Sequence, residues 1–126
     1  MNKVVHFEIP FDDQTRAKQF YQKVFGWHIE DIPAMNYMVA TTAAVDPKTH
    51  IPLEAGAING GLIKRDLTAK TPVLVISVDS IDEHLKLIEK AGGKLVEPKV
   101  EIGGMGCYAR ASDSEGNVIG LWESID

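Results

Sequence analysis

The chain has 126 residues, 44% of them hydrophobic and 25% charged, with a formal net charge of −5 and a pI near 5.3. That is the size and composition of one ordinary globular domain, and the acidity, with no basic stripe against it, argues against a nucleic-acid partner. No apolar run could cross a bilayer, the start Met1-Asn2-Lys3-Val4-Val5-His6-Phe7 lacks the zones of a signal peptide, and the lone Cys107 excludes an internal disulfide, so the expectation is a cytoplasmic protein without a membrane partner.

Residues 4 to 9 alternate, with Val5, Phe7 and Ile9 pointing one way and His6 and Glu8 the other, and Pro10 is expected to end this strand. Asp12 or Asp13 caps a helix over Gln14 to Phe25, whose apolar stripe is Ala17, Phe20, Tyr21, Val24 and Phe25, and Gly26 stops it in a left-handed turn. Strands follow over Trp27 to Asp31 and Tyr37 to Ala44. The prolines at 47 and 52 place a loop over 45 to 55, and a glycine-containing strand runs from Ala57 to Lys64. Asp66 to Thr71 is a polar connection. Then comes a strand at Val73 to Val78 and a helix capped by Ser80, running from Ile81 to Ala91 on Ile81, Leu85, Ile88 and Ala91. Strands at Lys94 to Val100, Cys107 to Ala111 and Val118 to Glu123 complete the chain, with a tight turn at Ser114-Glu115-Gly116-Asn117 between the last two.

The second half repeats the first. Laying Gly26 on Gly93 gives an offset of 93 − 26 = 67 residues, which also puts Phe7 on Leu74, Ile9 on Ile76 and Phe20 on Leu87. The expectation is a single α+β domain of two β-α-β-β-β modules, about 1–66 and 67–126, forming a curled mixed sheet around a central cleft. If Val5, Phe7 and Ile9 pack under the first helix, His6 and Glu8 look into that cleft, and by the offset Val73 and Val75 look in from the other half. Met105 and Tyr108, beside the glycines at 103, 104 and 106, are expected at its rim. Such a pocket is apolar on one side and polar on the other, which suits a small organic ligand. His6 has two readings: a general base or acid, or a hydrogen-bonded pocket histidine. Glu8, at spacing two on the same face, either works with His6 or reaches solvent. Cys107 reads as a structural thiol, because a nucleophile needs a base beside it. No two histidines have zinc-site spacing.

Phe7-Glu8-Ile9-Pro10, Ala17-Lys18-Gln19-Phe20-Tyr21 and Val24-Phe25-Gly26-Trp27 resemble the opening of the glyoxalase/bleomycin-resistance/extradiol-dioxygenase group, the vicinal oxygen chelate superfamily. Gly60-Gly61-Leu62-Ile63-Lys64-Arg65, Ile102-Gly103-Gly104-Met105-Gly106 and the stretch Asp113 to Trp122 resemble its branch described as related to lactoylglutathione lyase. The resemblance spans essentially the whole chain. It implies paired modules around a cleft, a homodimer, and four metal ligands drawn from the first and fourth strands of each half. The matching positions here are His6, Val73, Gly60 and Gly120, and three of the four carry no ligating side chain. No metal and no cofactor is therefore expected. Two functions stay open: a lyase- or isomerase-type enzyme using His6 without the four-ligand metal, and a non-catalytic sequestering protein of the resistance type.

Overall fold

A computed structural model describes residues 1–125. The described residues form eight strands and two α-helices, an α+β fold, and the chain divides into two compact units. The first unit is His6–Pro72. The second is Met1–Val5 together with the chain from Val73 onward.

In the first unit β1 (Val4–Phe11, which begins in residues grouped with the second unit), α1 (Gln14–Phe25), β2 (His28–Ile32), β3 (Tyr37–Thr41) and β4 (Asn59–Lys64) make a sheet ordered β2-β3-β4-β1. β1 runs parallel to β4, and the other pairs are antiparallel. Asp13 caps α1 by accepting from the Arg16 amide at 2.9 Å, and Gly26 ends it at φ 70°, a left-handed conformation that a side chain would strain. Pro10 lies inside β1 rather than at its end: its fixed φ is compatible with extended backbone, and the strand goes on to Phe11.

The core of this unit is Phe11, Ile29, Met38 and Leu62, with Ile9, Ala17, Tyr21 and Trp27 packed on it. Phe7 joins through Trp27, their ring centroids 5.5 Å apart, whereas Val5 lies outside this core and is exposed. The helix stripe is narrower than its sequence suggests. Ala17 and Tyr21, one turn apart, face the sheet, while Phe20, Val24 and Phe25 are more than half exposed.

The second unit repeats the plan with β5 (Val73–Ser77), α2 (Ile81–Lys90), β6 (Lys94–Ile102), β7 (Gly106–Ser112) and β8 (Val118–Ser124), ordered β5-β8-β7-β6. β5 is parallel to β8, and the rest are antiparallel. Its core is Val78, Ile81, Ala109 and Leu121, joined by Ile76, Leu85, Ile88, Cys107 and Ile119. Ser80 caps α2, as its sequence predicts. β6 carries Pro98 and register shifts on both sides of Glu97, the irregularities of an edge strand that resists further pairing. The first residues of the chain are tied to this unit by the Ser77 amide donating to the Lys3 carbonyl at 2.9 Å.

Candidate functional site

Strand alternation builds one polar face in the first unit. Ile9 and Phe11 pack toward the core, so His6 and Glu8 turn to the opposite face of β1. Met38 and Leu62 pack with them, so Tyr37 and Val39 of β3 and Gly61 of β4 share the face of His6 and Glu8. The ladder aligns Glu8 with Gly61 and Gly61 with Val39. Tyr37 enters β3 beside this row and reaches across β4, where its hydroxyl lies 2.7 Å from His6 Nε2. The two rings lie nearly parallel, 11° apart, at a centroid distance of 6.5 Å.

Gly61 makes this crossing possible. A Cβ at Gly61 would overlap the phenol end of Tyr37, so only glycine lets that ring lie across the strand. The neighbouring Gly60 serves the other face, where a Cβ would run into the Phe7 ring.

Burial sets the charge states. It pushes the His6 pKa below its ordinary value, an effect the nearby Glu8 carboxylate partly opposes. It pushes the Tyr37 phenol well above its ordinary value, and Glu8 adds to that shift. Glu8 is itself buried, 7% exposed. At neutral pH the pair is a neutral imidazole against a neutral phenol. Either the phenol O–H donates to a bare Nε2, or Nε2–H donates to the phenol oxygen while the O–H turns to another acceptor. In both arrangements one group holds a proton and the other can take one.

The equivalent face of the second unit has different contents. Val75 aligns with Gly120 and Gly120 with Arg110, the same row of three strands. Tyr108 stands two residues before Arg110, as Tyr37 stands two before Val39. Val73 and Val75 are buried at 1% and 2% exposure, with Arg110 at 7%. Arg110 Nε donates to the Tyr108 hydroxyl at 3.0 Å, and Nη1 lies 3.6 Å from Glu97 Oε1. A Cβ at Gly120 would come within 2.9 Å of the Tyr108 hydroxyl and 3.0 Å of Val75 Cγ2, so this glycine too lies under a tyrosine. Met105 does not share this face. It sits 63% exposed in the β6–β7 turn, where Gly103 and Gly104 adopt φ of 49° and 77°.

The ladder moves one sequence equivalence. The row that pairs Gly120 with Val75 pairs Gly61, not Gly60, with Glu8, so Gly61 is the repeat mate of Gly120. The residues present do not fit a four-ligand divalent metal. Val73, Gly61 and Gly120 offer no ligating side chain, the space above Gly61 is filled by a phenol that burial holds protonated, and among the described residues no three His, Cys, Asp or Glu side chains come together.

The other histidines and the cysteine lie outside the row that holds Glu8. His84 is bonded to the Ser80 carbonyl at 3.1 Å and to the Asn2 side chain at 3.3 Å. His28 and His50 are exposed. Cys107 packs against the second core. Two surface depressions of the first unit, of about 310 and 430 Å³, meet at Phe11 and Asp12, and neither reaches His6, Glu8 or Tyr37. Among the described residues, the polar face combines burial, a short contact and displaced pKa values, which makes it the candidate site. Tyr37 and Arg110 are the functional candidates that sequence reasoning missed. The signal for Tyr37 was the glycine inside β4, which announces a close approach without saying what approaches.

The family described as "Bleomycin resistance protein-like N-terminal" matches residues 3–43. The chain is 29% identical over 118 residues to CFP32 of Mycobacterium tuberculosis, a protein named as a candidate glyoxylase, and the match covers 89% of this chain and 42% of that protein. The chain thus spans less than half the length of this curated relative. A hypothetical protein from Bacillus halodurans superposes with a TM-score of 0.64 at 17% identity, covering 99% of this chain and 96% of the other. A variant of Streptomyces coelicolor methylmalonyl-CoA epimerase, in complex with 2-nitronate-propionyl-CoA, superposes with a TM-score of 0.63 at 17% identity over 100% and 99% of the two chains. At such identities the structural likeness establishes the fold.

Proposed function

We propose that this chain, which belongs to the vicinal oxygen chelate (glyoxalase/bleomycin-resistance) superfamily, binds a small organic molecule against the polar face of its first unit and moves a proton on it through His6 and Tyr37. The observation that carries this reading is the 2.7 Å contact between a neutral imidazole and a neutral phenol on a face shared with the buried Glu8. A neutral imidazole can take a proton from an acidic carbon or hydroxyl, and a protonated phenol can give one to a developing oxyanion. Glu8 holds the imidazolium that forms and biases the phenol against ionising first. That division of labour is the chemistry of a lyase or isomerase, and no step calls for a metal. An epimerase among the structural neighbours, captured with an acyl-CoA analogue, supports the substrate scale but not a particular substrate.

The second reading is a sequestering protein that binds the same kind of molecule without turnover, and the match to a resistance-protein family favours it. Thermal-shift screening of small carbonyl compounds, repeated on His6→Ala and Tyr37→Phe, separates the outcomes. A ligand that stabilises the wild type, loses its effect in both variants and is chemically changed supports the enzyme. The same binding pattern with the ligand recovered intact supports sequestration. Equal shifts in all three folded proteins place the site elsewhere.

We also propose a symmetric homodimer in a cytoplasmic setting. Exposed Phe20, Val24 and Phe25 on α1 form an apolar surface that association would cover. Light scattering should report about twice the 13.8 kDa chain mass.

A further inference from the structure

We propose that the depression of about 310 Å³ beside α1 is a binding site for an α-amino acid with an apolar side chain. It lies within the first unit and does not reach His6, Glu8 or Tyr37, so the proposal is independent of the roles given to them. Its volume is near the lower end of the range of about 300–1,000 Å³ for small-ligand pockets. α1 lines it at helical spacing: Asp13 at the cap, Arg16 and Ala17 one turn on, Phe20 and Tyr21 the turn after. The end of β1 adds Phe11, which is 8% exposed, and the neighbouring Asp12. Arg65, just past β4, joins them, its amide donating to the Phe11 carbonyl at 2.9 Å. The depression thus combines an apolar body with two cations and two anions.

These charges are not all paired with one another. Arg65 donates from Nε to Asp12 Oδ1 at 2.9 Å and from Nη1 to the Lys70 carbonyl, which fixes its guanidinium in place. Asp13 uses Oδ1 to accept from the Arg16 amide. The Arg16 guanidinium makes no hydrogen bond or ion pair with another described residue. Asp12 and Asp13 each engage a single oxygen in these bonds. A simple anion would meet both carboxylates, and a simple cation both guanidiniums. A molecule with one charge of each sign on the same carbon suits the set. Its carboxylate meets the Arg16 fork, and its ammonium meets the remaining oxygens of the aspartates. That is the head of an α-amino acid. An apolar side chain on it is received by Phe11, Ala17 and Phe20. Phe20 is 52% exposed, held only by an edge contact with Tyr21 at 5.1 Å and a longer one with Phe25 at 6.3 Å. Serving as a wall of this depression is a use for it that Val24 and Phe25, which do not line it, do not share.

The test titrates the intact chain with phenylalanine, leucine, N-acetylphenylalanine, phenylalaninamide and glycine, reading backbone amide NMR shifts and heat of binding. Wild type should bind phenylalanine or leucine saturably, with the shifts centred on residues 11–21 and Arg65. The N-acetyl compound and the amide each lack one charge of the head and should bind about tenfold more weakly than phenylalanine. Glycine keeps the head without the apolar body and should not saturate. Arg16→Gln and Phe20→Ala change exposed side chains, so both should keep the wild-type circular dichroism and each should weaken phenylalanine about tenfold. N-acetylphenylalanine or phenylalaninamide binding as tightly as phenylalanine overturns the amino-acid assignment. No saturable binding of phenylalanine or leucine by wild type, or unchanged affinity in both variants, overturns the site.

Discussion

In the row Glu8–Gly61–Val39 the first unit puts its charge on the first strand and an aliphatic side chain on the third. In the row Val75–Gly120–Arg110 the second unit does the reverse. The middle of each row is a glycine, and over each glycine lies a tyrosine from the third strand. The shared parts are those the backbone needs. A tyrosine across a strand requires a glycine beneath it, so the two are kept together. The differing parts are ionisable groups whose burial costs free energy, and they change places between the first and third strands of the units. On the function proposed above, the first unit's face moves a proton.

The sharpest break of that comparison is to give the second unit the first unit's chemistry. Val73 occupies the position of His6 and is 1% exposed. Val73→Asp should destabilise the chain by about 3 kcal/mol or more, because a carboxylate would replace a fully buried aliphatic side chain and lose its solvation, and denaturant unfolding would register the loss. Next in size are the glycines. Gly61→Ala should cost about 1–3 kcal/mol by overpacking and should also free Tyr37 from His6, whereas Gly120→Ala should cost less, since its nearest contact is 2.9 Å rather than an outright overlap. Shortening the phenol together with the glycine change, in Gly61→Ala/Tyr37→Ser, should recover part of the loss. No recovery would mean that the tyrosine is not what the glycine accommodates.

The titrating pair sharpens the contrast through pH. The folded-state pKa of His6 lies below the unfolded value of about 6.5, so its contribution is fully present above that pH and is lost as pH falls toward the folded value. The folded-state pKa of Tyr37 lies above the unfolded value of about 10, so its contribution is present below that pH and is lost as pH rises beyond it. His6→Gln should therefore flatten the stability profile on the acid side and Tyr37→Phe on the alkaline side. Tyr37→Phe should cost about 1 kcal/mol at neutral pH for the lost hydrogen bond. The smallest expected effect is Met105→Ala, within about 0.5 kcal/mol, as for other exposed turn residues. A larger loss of stability would show that Met105 packs against something outside the turn.

Much of this was legible in the chain itself. The 67-residue repeat, the caps at Asp13 and Ser80, the left-handed Gly26 and the alternation that sets His6 and Glu8 against Ile9 are local or periodic signals, fixed by backbone sterics and by the two-residue period of a strand. Periodicity overreached on α1, where Phe20, Val24 and Phe25 fit a helical stripe but only Ala17 and Tyr21 meet the sheet, because the width of a buried stripe depends on what it packs against. The 67-residue offset likewise put Val73 and Val75 on one face, but the neighbouring glycines, which set Met105 and Tyr108 together at a rim, could not tell that Tyr108 lies over Gly120 while Met105 stays exposed in a turn with two left-handed glycines.

What only the tertiary structure decided is register. The sequence determined that a glycine pair interrupts β4, but which of the two belongs to the polar face follows from which residue lies opposite Glu8, and that is set by pairing between strands more than fifty residues apart. The same holds for Tyr37 and Arg110. Each reads as an unremarkable strand residue until its strand is laid beside a glycine, which gives the one a histidine to reach and the other a buried face to occupy. Hydrogen-bond ladders fix such neighbours to within a residue, and a slip of one would send every one of these side chains to the opposite face.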